Sequence, residues 1–225
     1  MRIKFVKAEP VANNAYLYWF EPENQFSYLA GQFALFSLPH RQADNRGIYR
    51  EFTLSSSPTE KLIAIATRHV KAGSSFKRAL KSLRAGDHIN MDIPLGDVVL
   101  PVNKDRRLLF IAGGMGVTPF RSMTKYLTDT KDKRYISLIQ VADTNSELMF
   151  KDLFKSYAMN YVPLVTNHEP SGEKLKSAVH EALKDKPDSL VYVSGPGSFI
   201  DRLLPVVHAE GIGYDSIISD LFIGY

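Results

Sequence analysis

An almost unbroken apolar stretch over residues 107–112 turns at Gly113-Gly114-Met115-Gly116 into an amphipathic segment that starts at Thr118. A continuous apolar run is typical of a strand buried on both faces, as in a parallel sheet that helices cover. Glycines in the turn allow a ligand to approach the backbone, and the helix N-terminus favours an anion. Many turns between a strand and a helix need glycine for packing alone, so the turn by itself is a weak signal.

The second half of the chain continues this alternation of apolar strands and amphipathic helices. In the segment 173–183, for example, the apolar residues follow the spacing of a helix that covers a sheet. We therefore predict a doubly wound parallel α/β domain over residues 102–225. The predicted strands are 107–112, 135–141, 161–166, 190–194 and 217–219, and the predicted helices are 118–127, 149–157, 173–183 and 198–209.

The first half of the chain is rich in short strands that Pro, Gly, Asn and Asp separate. Their β-branched and aromatic composition and their even spacing predict a small antiparallel β-barrel or sandwich over residues 1–101. A linker is expected to begin at Val102. The predicted strands are 3–6, 15–20, 32–38, 49–53, 62–68, 88–93 and 97–100, and one helix is predicted over 75–83.

Composition limits the classes of function. A chain of 225 residues without cysteine has no disulfide, no thiolate zinc site and no iron–sulfur cluster of its own, so any such centre must lie on a partner. The net charge of +4 is spread along the chain, without the basic stripe of a nucleic-acid-binding protein. No apolar run reaches the roughly 18 residues of a membrane span. We expect a soluble, cytoplasmic protein.

The segment Arg50-Glu51-Phe52-Thr53 precedes a Ser-Ser-Ser-Pro turn and is the strongest candidate for a binding strand. On a strand, Arg50 and Phe52 point to one face and Thr53 to the other. A guanidinium suits a pyrophosphate, a flat ring suits a flat ring, and a hydroxyl can donate to a ring nitrogen. The segment therefore suggests a flavin site, although the seven residues 50–56 taken alone favour a surface strand that ends in a polar turn.

Two later segments extend the candidate site. Val193-Ser194-Gly195-Pro196 leads from a strand into a helix, and the carboxyl ends of neighbouring parallel strands form the ligand crevice of open α/β sheets. The chain ends at Asp220-Leu221-Phe222-Ile223-Gly224-Tyr225, an aromatic cluster where a polar end is usual. We interpret this cluster as a lid over a flat cofactor; the alternative is a terminal strand that docks for stability.

In this order, the motifs Arg-x-Phe-Thr-x-x-Ser, Gly-x-Ser before a short helix, Leu-Gly-Asp, Gly-Gly-x-Gly-x-Thr-Pro, Ser-Gly-Pro-x-x-Phe and Asp-x-Phe-x-Gly-Tyr resemble those of the ferredoxin-NADP reductase family. The resemblance covers essentially the whole chain. It implies a flavin-binding β-barrel followed by a pyridine-nucleotide domain, in a short form without an iron–sulfur domain. It also implies that FAD relays electrons between NADH or NADPH and a ferredoxin, a flavodoxin or a small-molecule acceptor.

The resemblance also assigns residues on the flavin side. It implies that Arg50 holds the FAD pyrophosphate, that Phe52 packs beside the flavin, and that Thr53 hydrogen-bonds near flavin N5. The further flavin and phosphate contacts that it implies are Thr67, Arg68, Gly73, Ser74, Ser75 and Phe76.

On the nucleotide side, the resemblance implies that Asp220 is a catalytic carboxylate and that Phe222 stacks on the flavin, with Tyr225 in the same terminal cluster. Many relatives carry cysteine where this chain has Ser194, which leaves a polar contact there but weakens its catalytic assignment. The remaining nucleotide contacts that it implies are Gly114, Gly116, Thr118, Pro119, Gly195 and Pro196.

Asp143 follows the second strand of the predicted α/β domain, where the family places the adenosine ribose. A carboxylate accepts hydrogen bonds from ribose hydroxyls and repels a 2′-phosphate, so we expect a slight preference for NADH over NADPH. The alternative is that Asp143 caps the next turn or faces solvent.

Other functions find less support in the sequence. The six histidines show no paired ligand spacing, so no metal site is predicted, and no Gly-x-Ser-x-Gly elbow of a hydrolase occurs. One alternative stays open: a flavin- or nucleotide-binding subunit that couples or senses electrons in a larger complex without turnover. A yellow protein that NADH or NADPH bleaches is a reductase, whereas one that does not bleach supports the binding subunit.

Overall fold

The computed structural model describes residues 1–157, 160–167, 172–186 and 188–222. Its first half forms one antiparallel sheet of six strands, in the order β4-β3-β6-β1-β2-β5, with one short helix. The elements are β1 (Arg2–Ala12), β2 (Ala15–Pro22), β3 (Phe33–Ser37), β4 (Tyr49–Thr53), β5 (Ile63–Arg68), α1 (Ser75–Lys81) and β6 (His88–Met91).

This sheet curves around a single core. Phe52 of β4 and Ile65 of β5 belong to the same buried cluster, although their strands lie at opposite ends of the strand order. Phe20 and Phe36 fill the centre of that cluster, and Phe76 of α1 closes it. Side chains from both outer strands meet inside only if the sheet bends round on itself, as in a small barrel.

The second half is a five-stranded parallel sheet in the order β11-β10-β7-β8-β9. Among the described residues, helices α2, α3, α4 and α5 connect its strands, so the architecture is the doubly wound one that the sequence predicts. The elements are β7 (Leu108–Gly113), α2 (Thr118–Asp129), β8 (Ile136–Ala142), α3 (Lys151–Ser156), β9 (Asn160–Val165), α4 (Gly172–Leu183), β10 (Leu190–Pro196), α5 (Gly197–Ala209) and β11 (Ile217–Phe222).

The pleat of β7 sends its apolar residues to both faces of this sheet. Leu108 and Phe110 pack on the side of α2 and α3, whereas Leu109 and Ile111 pack on the side of α4 and α5. This two-sided burial is the reason that the apolar run is continuous rather than alternating.

One predicted strand is wrong. Residues 97–100, all of them described, form no strand; the backbone makes a single bridge nearby, between Phe33 and Leu95. The segment is apolar because Val98 and Leu100 pack against the core of the second half, and the hydroxyl of Tyr192 donates to the Val99 carbonyl at 2.6 Å. Residues that resemble a strand therefore serve as a contact between the two halves.

The other predicted strands and helices are confirmed, with ends that shift by a few residues. The first strand extends to Ala12 because its second half pairs with β2. The division into domains at residues 101 and 102 stays a prediction. In the described part of the chain, no helix combines the length and the apolar character that crossing a membrane requires.

Candidate functional site

A cleft of about 780 Å³ lies between the two halves of the molecule. One wall comes from the barrel, at β4, the end of β5 and α1. The other wall comes from the carboxyl ends of β7, β8, β10 and β11, where open parallel sheets bind ligands. Both halves thus present their candidate residues to one cavity.

Arg50 lies on the barrel wall and is almost fully buried. Its Nη1 donates to the carbonyls of Arg46, at 2.6 Å, and Tyr49, and its guanidinium carbon lies 5.6 Å from the centre of the Phe76 ring. Lys77 lines the same wall, where burial and the nearby charges of Arg50 and Arg46 lower its pKa. These cations give the barrel wall a positive region suited to an anionic group.

Phe52 and Thr53 both line the cleft, because the cavity reaches both faces at the end of β4. The Phe52 ring also belongs to the barrel core, where it lies 5.8 Å from the rings of Phe36 and Phe76. Phe52 is therefore fixed by core packing, and Thr53 brings a hydroxyl to the cavity.

The segment Gly73-Ser74-Ser75-Phe76 is engaged within the protein. Ser74 caps α1 by accepting from the Lys77 amide, and the Ser75 amide donates to the Asp44 carboxylate at 2.7 Å. Phe76 is fully buried in the barrel core. In the described part of the chain, the cleft lining includes Lys77 but not the four positions before it. Their phosphate contact stays a prediction, and at Ser75 it requires that Asp44 be displaced.

Arg68 spans the two halves. Its Nη1 donates to Glu147 at 2.9 Å, and both side chains line the cleft together with Thr67. Among the described residues, its Nε and Nη2 are buried and have no hydrogen-bond partner. The sequence did not identify Glu147, because a pairing between residues 79 positions apart leaves no local signal.

The glycines of the turn after β7 have different roles. Gly114 has a φ of +55°, lines the cleft, and has open space where a Cβ would stand. A Cβ at Gly116 would lie 2.1 Å from the Ser194 carbonyl oxygen, so this glycine is required for packing against β10. Thr118 also lines the cleft and donates to the Met115 carbonyl at 3.0 Å, while Pro119 is buried in the first turn of α2.

Ser194 and Asp220 are direct neighbours on β10 and β11. The Ser194 hydroxyl donates to the Asp220 carboxylate at 3.2 Å, and burial raises the pKa of Asp220. Ser194 is fully buried behind Asp220, which lines the cleft. The hydrogen bond from Ser194 favours the ionised form of Asp220 and so opposes the effect of burial on its pKa.

Residues around this pair complete the wall of the cleft. Pro196 and Phe222 line the cleft, and Gly195 packs behind the cleft against Gly113 and Phe199. Tyr225, also predicted for this site, lies outside the described residues.

Asp143 lines the cleft at the end of β8, as does Thr166 at the end of β9. The Thr166 hydroxyl donates to the Asp143 carboxylate at 2.7 Å, which orients the carboxylate. The lining also includes Arg202 of α5, which the sequence did not suggest because helix surfaces carry many solvated arginines.

Comparisons with known proteins agree with this arrangement. Residues 110–203 match the family model of the oxidoreductase NAD-binding domain. The reductase component DmpP of phenol 2-monooxygenase from Pseudomonas sp. (strain CF600) is 29% identical over 190 residues, which is 79% of this chain and 52% of that protein. NADH oxidoreductase HCR from Escherichia coli (strain K12) is 25% identical over 191 residues, 83% of this chain and 58% of that protein. The chain thus spans little more than half the length of these relatives.

Solved structures share the fold. Ferredoxin-NADP+ reductase from Plasmodium falciparum superposes with a TM-score of 0.83 at 16% identity, covering 98% of this chain and 95% of that chain. Phthalate dioxygenase reductase gives a TM-score of 0.81 at 19% identity, covering 98% of this chain and 67% of that chain.

The barrel, the parallel sheet and the cleft between them form the two-domain fold that these solved structures share. The matched segment is an oxidoreductase NAD-binding domain. The matched segment and the shared fold are similar to those of ferredoxin-NADP reductase-like proteins, as the resemblance in the sequence implied.

Proposed function

We propose that this protein is an NAD(P)H-dependent flavoprotein reductase that passes electrons from a nicotinamide nucleotide through FAD to an external acceptor. The observation that carries the proposal is the shared cleft. Thr53 and Arg50 on the barrel wall and Gly114 and Thr118 on the nucleotide wall border one cavity of about 780 Å³. That volume lies in the range of cofactor sites.

The residues on the barrel wall fit FAD. Arg50 and Lys77 supply positive charge for a diphosphate. The Nε and Nη2 of Arg68 are buried donors for which the described part of the chain supplies no acceptor. Buried donors without a partner are rare in proteins, so their position at a cavity supports a bound polar ligand.

When bound, FAD supplies the chemistry, since it accepts two electrons as a hydride and releases them singly or in pairs. The chain supplies binding and orientation. Arg50 and Lys77 anchor phosphate groups, Thr53 offers a hydroxyl beside the flavin ring, and Gly114 lets the nucleotide approach the backbone. With its raised pKa, Asp220 keeps a proton at higher pH than an ordinary aspartate does.

We propose that the nucleotide site prefers NADH slightly. Asp143 lines the second wall at the end of β8, and a carboxylate there disfavours the 2′-phosphate of NADPH.

We further propose that the acceptor is another redox protein. DmpP is named as the reductase component of a phenol 2-monooxygenase, and another relative, from Comamonas sp, as a reductase component of terephthalate 1,2-dioxygenase. A ferredoxin, a flavodoxin, an oxygenase component or a small molecule are the acceptors to compare.

Flavin loading followed by anaerobic reduction tests the proposal. The purified protein is incubated with FAD or FMN, freed of excess flavin, and titrated with NADH and NADPH without oxygen. Retained FAD that NADH bleaches supports a reductase. Retained flavin that neither nucleotide bleaches supports a binding subunit instead, and a protein that retains no flavin contradicts both.

A further inference from the structure

The serine-rich turn after β4, residues 55–60, contacts the second half of the molecule. The Ser122 hydroxyl of α2 donates to the Ser56 carbonyl at 2.5 Å, and the Thr59 hydroxyl donates to Asp129 of α2 at 2.5 Å. The Ser57 amide donates to the Glu60 carboxylate at 2.7 Å, which makes the turn itself rigid.

Arg121 is the centre of this contact. Its Nη1 and Nη2 bind the two oxygens of Glu60 at 2.5 and 3.0 Å, and Nη1 also donates to the Ser55 carbonyl at 2.8 Å. The guanidinium carbon lies 5.5 Å from the Trp19 ring and 5.8 Å from the Phe150 ring. The side chain is buried, so one arginine is held by charge, hydrogen bonds and two aromatic faces.

This contact links the chain segments that carry the two walls of the cleft. Ser55 is two residues after Thr53, and Arg121 is three residues, or almost one helical turn, after Thr118. Thr53 and Thr118 line opposite walls. Three short steps, from Thr53 to Ser55, from Ser55 to Arg121 and from Arg121 to Thr118, therefore connect the flavin wall to the start of α2.

We propose that Arg121 is a positioning residue that fixes the spacing between the two walls of the cleft. The inference rests on the proposed reductase function, because hydride transfer requires close and exact placement of the two rings. Arg121 lies outside the cleft lining given by the described residues, so it acts through Ser55 and Glu60 and touches neither ligand.

The bidentate geometry suggests how the residue works. A guanidinium with two parallel bonds to one carboxylate fixes orientation as well as distance, whereas a lysine ammonium keeps the charge and loses the orientation. Arg121→Lys should therefore keep the fold and relax the spacing, and Arg121→Met should relax it further.

The test compares Arg121→Lys, Arg121→Met and Glu60→Gln with the wild type. Arg134→Met is the matched control, because Arg134 is a buried arginine that pairs with Asp132, donates to the Pro101 carbonyl, and is not part of the described cleft lining. Stopped-flow reduction of the FAD-loaded proteins at saturating NADH gives the rate of the reductive step, and titration with NAD+ gives nucleotide affinity.

We expect the reductive rate to fall about 10-fold to 100-fold in Arg121→Met and less in Arg121→Lys, with flavin content and NAD+ affinity changed by less than about threefold. A loss of stability without a loss of rate is expected for Arg134→Met. Equal reductive rates in the wild type and all three test variants would overturn the positioning role and leave the reductase function intact.

A second readout needs no flavin. Amide hydrogen exchange in the flavin-free proteins should become faster at residues 55–60 and 114–118 in the Arg121 variants but not in Arg134→Met, because the contact holds both segments. Unchanged exchange at both segments would overturn the inference. A wild type that binds no flavin, or that NADH does not reduce, would overturn the proposed function and the positioning role with it.

Discussion

The charged residues that line the cleft differ between its walls. Of the described lining residues, the barrel wall carries three cations and one carboxylate, whereas the nucleotide wall carries three carboxylates and one cation. A diphosphate is therefore attracted to the first wall, and an extra phosphate is repelled by the second. These residues are Arg50, Glu51, Arg68 and Lys77 on the first wall, and Asp143, Glu147, Arg202 and Asp220 on the second.

Replacing Arg50 tests the first wall. Arg50→Ala should weaken FAD binding about 10-fold to 100-fold, because a charge-assisted hydrogen bond contributes about 1.5 to 3 kcal/mol. Equilibrium titration of the apoprotein with FAD measures the change. Arg84→Ala, which removes an exposed arginine, is the control and should bind like the wild type. Equal affinity of Arg50→Ala and the control would show that Arg50 does not contact the pyrophosphate.

Replacing Phe222 tests the lid. The side chain lines the cleft at the end of β11, where we expect its ring to compete with nicotinamide for the flavin face. Phe222→Ser should bind NAD+ more tightly, and a flavin–nicotinamide charge-transfer absorption band should appear when the protein is titrated with NAD+. Tyr214→Ser removes an aromatic that is 81% exposed and should change neither property. If Phe222→Ser keeps its flavin and shows no band, Phe222 does not stack there.

Replacing Asp143 tests the choice of nucleotide. Asp143→Arg should shift the ratio of kcat/KM for NADH over NADPH toward NADPH by about 10-fold or more, because a cation replaces a carboxylate at the end of β8. Asp152→Arg makes the same charge change at an exposed position of α3 and should leave the ratio unaltered. A wild type that prefers NADPH would contradict the assignment directly.

At the scale of elements, the connection between α2 and β8 is held by charge. Asp132 pairs with Arg134 at 3.2 Å and with Lys104 at 3.1 Å. Hydrogen bonds from Arg134 and then Lys104 lower the pKa of Asp132 from 3.8 to about 2, against the opposing effect of burial. Because the folded pKa is depressed, the ionised form stabilises the fold above the unfolded pKa, and this stabilisation declines as pH falls from about 4 to about 2.

Asp132→Asn should therefore lower the free energy of unfolding by about 1 kcal/mol near neutral pH, with a smaller difference at about pH 3. Urea denaturation of both proteins at the two pH values measures it. A difference that is the same at both pH values would mean that ionisation of Asp132 does not contribute to stability.

Elements with a local cause were predictable from the sequence. The continuous apolar run of β7, the glycine turn and the proline at the start of α2 each follow from neighbouring residues. The strand predicted for residues 97–100 was wrong because burial against the other half produces the same apolar pattern as a strand. The 55–60 turn follows the predicted flavin strand, but its contact with the second half depends on Arg121, which lies 61 positions after Glu60. A local sequence pattern does not reveal a partner at that separation.

The same reasoning applies to the site. The cleft brings together Arg50, Thr53, Gly114 and Asp220, whose motifs the sequence presents as separate segments. The pair of Arg68 and Glu147, and the hydrogen bond from the Ser75 amide to Asp44, are long-range contacts that each involve a charged side chain. Such residues are usually solvated, so only the fold reveals their partners.

At the scale of the whole molecule, the two halves share buried structure as well as a cleft. Ala15 and Ala30 of the barrel belong to the same buried cluster as Phe120 and Met123 of α2. The Asn13 amide also donates to the Ser146 carbonyl at 2.8 Å. Contacts of this extent hold the barrel against the nucleotide domain, which agrees with a reaction that requires two ligands at a fixed spacing.

The central claim is that the cleft places a nicotinamide against a bound flavin. Rapid anaerobic mixing of the FAD-loaded protein with NADH, and with NADH that carries deuterium at the transferred position, tests this most directly. We predict saturable flavin reduction, much faster than that of free FAD, that deuterium slows several-fold because the transferred hydrogen moves in that step. Reduction no faster than that of free FAD, or with no isotope effect under single-turnover conditions, would contradict the account.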